Sequence, residues 1–240
     1  MIFFNEIPNI KFDKNDAKSL RENISKMLEE AIYSGYLPPG SRIIESQIAN
    51  KLEISRTPVR EAILQLESEG LVKTITNKGA FVSIYSIDEI DEIYIIFGAL
   101  SGVAASISLE AIDESGLKQM ETCIAKMEVS KNNINRREWF MQNNDFHRAF
   151  IKPCKKKVLL KLIKNYTKQV GRYWYLMLSY PGSIELFHRE HKDILEAFKL
   201  KKPKMVRELV ESHVRSFGKI VIESLRSISP SELEYPTFTR

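Results

Sequence analysis

ESQIANKLEISRTPVREAILQLESEG, residues 45–70, holds two short amphipathic helices with almost nothing between them. In the first, over about 45–52, Ile48 and Leu52 lie one helical turn apart on a single face. In the second, over about 56–69, Val59, Ile63, Leu64 and Leu66 form the expected buried stripe. Ser55 or Thr57 supplies the N-cap, Pro58 falls in the first turn, where its missing N–H costs nothing, and Gly70 closes the helix. Only Glu53, Ile54 and Ser55 separate the two, which is the spacing of a helix-turn-helix.

Upstream, Leu20, Ile24, Leu28 and Ala31/Ile32 recur at helical spacing and predict a helix over 14–34. Leu37-Pro38-Pro39-Gly40 then forbids its continuation. Downstream, Leu71–Ile75 and Ala80–Ile84 are β-branched runs joined by Thr76-Asn77-Lys78-Gly79, so they predict a hairpin, or wing. Beyond Tyr85 no strand signal recurs. Helical patterns run over about 87–111, 114–130, 134–151, 155–179, 184–199 and 203–226. The fold class is therefore mainly α: an N-terminal winged helix-turn-helix with a two-stranded wing, followed by an antiparallel bundle of about six helices. The expected division is a DNA-binding domain at 1–85, a helical domain at 86–228, and an irregular tail at 229–240 with Pro230 and Pro236.

At 240 residues and 43% hydrophobic content, the chain can bury the cores that this division needs. Glu, Lys, Asp or Arg is expected to interrupt every apolar run, which argues against a membrane span. The first ten residues, with Glu6 and Pro8 and no basic flank, do not read as a secretory signal, so the chain is expected to be cytoplasmic. Cys123 and Cys154 fit neither a metal knuckle nor a disulfide framework. The net charge of +5 invites a nucleic-acid partner. Residues 1–85, however, hold eleven Lys and Arg against eleven Asp and Glu, so DNA binding has to rest on local placement.

In a helix-turn-helix the second helix enters the major groove with its N-terminal residues toward the base edges. Arg56 and Arg60 are spaced i, i+4 at that end, and their planar forks suit guanine O6 and N7. They are expected to lie opposite the stripe that includes Leu64. Ser55, Thr57 and the first amides of the helix can hold phosphate, while Lys73 and Lys78 place the wing on the backbone or the minor groove. The competing interpretation is a solvated helix face on which Arg60 pairs with Glu61 or Glu67.

Gly40-Ser41-Arg42-Ile43-Ile44-Glu45, Ser55-Arg56-Thr57-Pro58-Val59-Arg60-Glu61-Ala62, Leu66-Glu67-Ser68-Glu69-Gly70-Leu71-Val72 and Lys78-Gly79-Ala80-Phe81-Val82 together resemble the N-terminal domain of GntR-family regulators. The resemblance implies that Arg56 and Arg60 contact operator bases and that Gly79, at the wing tip, approaches DNA. Many members carry Arg directly after the Glu of the first motif helix; here that residue is Ser46.

All four histidines, His147, His188, His191 and His213, lie in the helical region. Asn143 and His147 share one helix face at i, i+4, and His191 and His213 fall on two later helices. By spacing alone this remains either a divalent transition-metal site, for Zn, Ni or similar, or a set of ordinary core and surface histidines. Asn143-Asn144-Asp145-Phe146-His147, Glu190-His191-Lys192-Asp193-Ile194-Leu195-Glu196-Ala197 and Ser212-His213 are similar to the metal-site signatures of the FadR-type subgroup with the FCD ligand-binding domain. That resemblance implies a metal held by Asn143, His147, His191 and His213, helping to bind a small-molecule effector such as a carboxylate. It also implies a homodimer on a pseudo-palindromic operator. Phe97 stands where Arg is usual, and Ser101 where Glu is usual. With Arg172 and Tyr175 they complete the expected effector pocket, against the alternative that the aromatics are core. The function expected is an effector-modulated transcription regulator and not an enzyme. A purely structural metal site and a metal-dependent hydrolase are the alternatives.

Overall fold

The computed structural model describes residues 17–133, 135–173, 176–177 and 180–227. The first ten residues, Tyr175 and the tail from Ser229 lie outside the described residues. The chain forms two compact units. One comprises Met1–Ser86, Lys168–Tyr175 and Arg226–Arg240; the other comprises Ile87–Thr167 and Leu176–Leu225. The expected helical domain at 86–228 thus contains a segment, described over 168–173, that belongs to the N-terminal unit.

In the N-terminal unit the order is α1 (Ala17–Tyr33), β1 (Arg42–Ile43), α2 (Glu45–Leu52), α3 (Arg56–Ser68), β2 (Val72–Ile75) and β3 (Gly79–Val82). Glu53 turns the chain between α2 and α3 in the left-handed region, at φ 52°. Its N–H bonds back to the carbonyls of Ala49 and Asn50, which ends α2 after eight residues. Ile24, Leu28 and Ile32 of α1, Ile48 of α2, Val59, Ile63 and Leu66 of α3, and Val72 and Val82 of the strands make one core. Full burial of such side chains contributes roughly 1.5–3 kcal/mol each.

Two features differ from the sequence reading. The sheet has three antiparallel strands in the order β1-β3-β2, with Arg42 opposite Phe81 and Val72 opposite Val82. A two-residue strand has no alternation to detect, so β1 was invisible to periodicity. Leu64 is not buried with Val59 and Ile63 but is 53% exposed. Arg56, Arg60 and Leu64 are spaced i, i+4, i+8 and so share one face, while Val59, Ala62, Ile63 and Leu66 line the other.

The helical unit contains α4 (Ile87–Ser108), α5 (Glu114–Asn132), α6 (Arg136–Ile151), a 3-10 turn (Lys152–Cys154), α7 (Lys157–Gly171), α8 (Ser183–Lys199) and α9 (Pro203–Arg226). The end of α7 belongs by its packing to the N-terminal unit, and so does Arg226 at the end of α9. Asp113 caps α5 through the Gly116 N–H at 2.8 Å, and Asn135 caps α6 through the Glu138 N–H at 3.1 Å. The expected single helix over 155–179 is interrupted. Lys155 is left-handed at φ 53°, and after Gly171 the Tyr173 N–H turns back to the Val170 carbonyl. Residues 93–109 carry no charge, contrary to the expectation for apolar runs, and α4 is long and apolar enough by length and composition to cross a membrane. In this unit it is a packing helix, with Ile90, Tyr94, Gly98, Ser101, Gly102, Ala104 and Ala105 buried.

Gly98 and Gly102 bring α4 against α9. A Cβ on Gly102 would stand 2.8 Å from the Arg207 carbonyl oxygen, and one on Gly98 would stand 3.2 Å from that of Glu211. Because backbone cannot swing aside as a side chain can, Gly102→Ala is expected to cost about 1–3 kcal/mol and Gly98→Ala less. Urea unfolding of the two variants checks the order.

Candidate functional site

α3 presents Arg56 and Arg60 to solvent from its first turns, with Ser55 and Thr57 exposed beside them. Among the described residues neither arginine forms an ion pair. The Glu67 carboxylate, the alternative partner for Arg60, instead accepts from the Thr74 N–H at 2.7 Å and the Thr74 hydroxyl at 3.0 Å. That engagement fastens the end of α3 to β2 and leaves the Arg60 side of the helix open. Lys73 and Lys78 are exposed along the hairpin. Asn77 and Gly79 turn its tip at φ 62° and 98°, a conformation that glycine adopts at little cost. Arg42 of β1 reaches the same tip, its guanidinium 3.7 Å from where a Cβ on Gly79 would stand. Sequence reading passed over Arg42 as a site residue because the strand that carries it was unseen.

In the helical unit α6, α8 and α9 bring His147, His191 and His213 together, with one ligand nitrogen of each within 4.8 Å of the others. Ring centroids lie 4.7 Å apart for His191 and His213, 5.1 Å for His147 and His213, and 5.5 Å for His147 and His191. The Nε2 atoms of His147 and His213 face each other at 3.2 Å. Two nitrogens bound at about 2.1 Å to one metal lie about 3.0–3.4 Å apart, so this approach suits a shared ion. The His213 Nδ1–H donates to the Glu190 carboxylate at 2.7 Å, which leaves the Nε2 lone pair directed inward. Among the described residues neither buried ring nitrogen of His191 has a hydrogen-bond partner, an expensive arrangement that coordination to a cation relieves. The donor set therefore fits a divalent transition metal.

Phe146, Phe150, Phe187 and Trp139 pack round the three rings. Burial holds His147 and His191 well below the usual imidazole range, and the neighbouring His213 pushes both in the same direction. Both are neutral at neutral pH, the state in which imidazole ligates. Asn143 is buried one turn before His147 on α6, whereas Asp145 pairs outward with Arg148 at 3.0 Å. Glu190 is the member of the cluster that sequence reading did not single out. Its position next to His191 was visible, but its partner is His213 on another helix.

Comparison with known proteins gives two family matches. Residues 20–82 match the model for bacterial regulatory proteins of the gntR family, and residues 92–216 match the FCD domain. This chain belongs to the GntR family of regulators and carries an FCD domain. The HTH-type transcriptional regulator YdhC of Bacillus subtilis (strain 168) is 29% identical over 189 residues, covering 78% of this chain and 84% of that protein. The HTH-type transcriptional repressor RspR of Escherichia coli (strain K12) is 22% identical over 214 residues, covering 89% and 92%. Among solved structures, E. coli McbR/YncC shares the fold with a TM-score of 0.76 at 21% identity, over 86% of this chain and 98% of that one. This GntR-family chain is accordingly a DNA-binding transcriptional regulator with a helical FCD domain.

Of the residues expected to form an effector pocket, Phe97 and Ser101 lie one turn apart on α4 of the helical unit, and Arg172 belongs to the N-terminal unit. Phe97 stacks on Tyr166 at 6.4 Å and packs against a cluster of Ala104, Cys154 and Ile163. Ser101 is buried, and its hydroxyl has no partner among the described residues. Arg172 is fully buried in the N-terminal unit, where it bonds the carbonyls of Gly70, Ser83 and Gln169. Tyr175 lies outside the described residues. His188 faces the Glu128 carboxylate beside a groove of about 580 Å³ between α5 and α8, which none of the three clustered histidines lines.

In the unfolded chain imidazoles titrate near about pH 6.5, whereas His147 and His191 stay neutral in the fold to well below that. Between those values the unfolded state binds more protons, so stability rises with pH. Metal-free protein should keep this contribution above about pH 6.5 and lose it on acidification; a melting temperature that stays level from about pH 7 to pH 5 contradicts the burial of neutral rings.

Proposed function

We propose that this chain regulates transcription by binding a pseudo-palindromic operator as a homodimer, with an affinity set by a small-molecule effector at a metal-containing pocket in the helical domain. The convergence of His147, His191 and His213, with Glu190 orienting one of them, carries this reading. The operator side rests on Arg56 and Arg60 as base readers, with Ser55, Thr57, Lys78 and Gly79 on the phosphates. Arg42 joins them at the wing tip. Residues 1–85 form the DNA-binding domain and 86–228 the regulatory and dimerisation domain. Exposed Ile95 and Ile96 of α4 and Val158 and Leu162 of α7 supply apolar surface for a second copy. The protein works where the DNA is, in the cytoplasm.

His147, His191 and His213 hold the divalent metal, of the Zn or Ni kind, with Asn143 as the fourth, oxygen ligand. When bound, the metal supplies open coordination positions for an anionic group such as a carboxylate. Glu190 fixes the tautomer of His213, and the surrounding phenylalanines keep water out of the cluster. An effector alters operator affinity only by binding the DNA-competent and incompetent states unequally, typically by about 1–3 kcal/mol.

Gel shifts on an operator selected by the protein from random DNA test the first half. Arg56→Ala with Arg60→Ala should weaken specific binding by about 2–6 kcal/mol, at about 1–3 kcal/mol for each bidentate contact. Unchanged binding would remove these residues from recognition. For the second half, zinc titration should saturate at one ion per chain, and His191→Ala should abolish it. If a chelator lowers the melting temperature but operator affinity ignores zinc and candidate carboxylates alike, the site is structural.

A further inference from the structure

Arg172 is a fully buried cation, and among the described residues no carboxylate pairs with it. Burying an unpaired guanidinium is costly, so its hydrogen bonds show what it is there to hold. Its Nη1 donates to the Ser83 carbonyl at 2.7 Å, its Nη2 to the Gly70 carbonyl, and its Nε to the Gln169 carbonyl at 2.9 Å. The guanidinium carbon sits 4.6 Å over the centre of the Tyr85 ring, and the Tyr85 hydroxyl also points at the Gly70 carbonyl, at 3.4 Å. Gly70 is the left-handed residue that ends α3, at φ +76°, and Ser83 follows β3 directly. One planar fork therefore bridges the end of the recognition helix, the root of the wing and the end of α7.

The segment that carries Arg172 is seated on both sides. Lys168 pairs with Glu69 at 2.7 Å and with Glu29 at 3.5 Å, and Glu29 also accepts from the Tyr33 hydroxyl at 2.8 Å. Gly171 lies so close to the Tyr33 ring that a Cβ there would approach it to 2.7 Å. All of these contacts fall within the N-terminal unit, although residues 168–173 stand more than eighty residues beyond the wing in sequence.

We propose that Arg172 is a positioning residue for operator recognition, setting the end of α3 against the root of the wing so that specific DNA contacts depend on how the end of α7 is seated. This rests on the operator-binding reading of the winged helix. Arg172 does not touch DNA. It fixes the angle at which the Arg56–Arg60 face and the Lys78–Gly79 tip are offered together, and a small error there costs base readout before it costs phosphate attraction. The segment continues α7, one helix from Lys157 to Gly171.

The test uses the full-length chain with Arg172→Met, which keeps the bulk and removes the donors, and Arg172→Lys, which keeps the charge on a single ammonium. Affinity is measured for the operator selected by the unaltered protein and for unrelated DNA, each corrected for folded fraction. Arg172→Met should lose about tenfold or more in specific affinity while non-specific affinity stays within about threefold, and Arg172→Lys should fall between. A merely structural role lowers the melting temperature and leaves the specific-to-non-specific ratio unchanged, and that result overturns the proposal. Should neither variant fold, hydrogen exchange on the unaltered protein decides. Slower exchange of 70–72, 83–85 and 168–173 together on operator binding supports it; unchanged exchange at 168–173 overturns it. Retained specificity in the Arg56, Arg60 double variant would sink the base-reading assignment instead, and leaves the Arg172 ratio measurable.

Discussion

The burial of Val59, Ile63 and Leu66 against α1 decides what the N-terminal unit can do. A helix of thirteen residues has only one way to hide those three side chains, and doing so turns Arg56, Arg60 and Leu64 outward as a row. The face proposed for recognition is thus the complement of the core. Its charge is not attractive in bulk, because residues 1–85 are formally neutral. The side chains that face outward are what count, and Glu67, one of the acidic residues that could have neutralised Arg60, is drawn off to Thr74.

The helical unit solves a different problem, the assembly of three imidazoles from three helices. Apolar packing of Phe146, Phe150 and Phe187 sets the separation of α6, α8 and α9, and the histidines follow. The same burial that removes water also keeps His147 and His191 neutral. Desolvation thereby keeps both rings in the state that can ligate, since a neutral imidazole offers a lone pair and a protonated one does not.

α7 contributes to both units, and nothing in its local pattern marks a break. The periodicity of 155–179 is helical throughout, yet the chain leaves the helix after Gly171 because Arg172 and Tyr173 turn back on the carbonyls of Gln169 and Val170. Such a stop uses no proline. It depends on acceptors at Gly70 and Ser83, about a hundred residues earlier in the chain, and a local pattern cannot report partners at that distance.

Periodicity and turn chemistry alone determined the helix-turn-helix, the hairpin and the run of helices that follows, because these are properties of neighbours along the chain. Family-specific spacing marked Asn143, His147, His191 and His213 as belonging together. Only the tertiary structure decided that Leu64 is exposed, that a two-residue third strand brings Arg42 to the wing tip, that Glu190 serves His213, and that Arg172 is buried on the carbonyls of Gly70 and Ser83. Each of these is settled by contacts between residues far apart in sequence. Which face of a side chain is covered, and which carbonyl it meets, are facts about packing that do not exist until the elements come together.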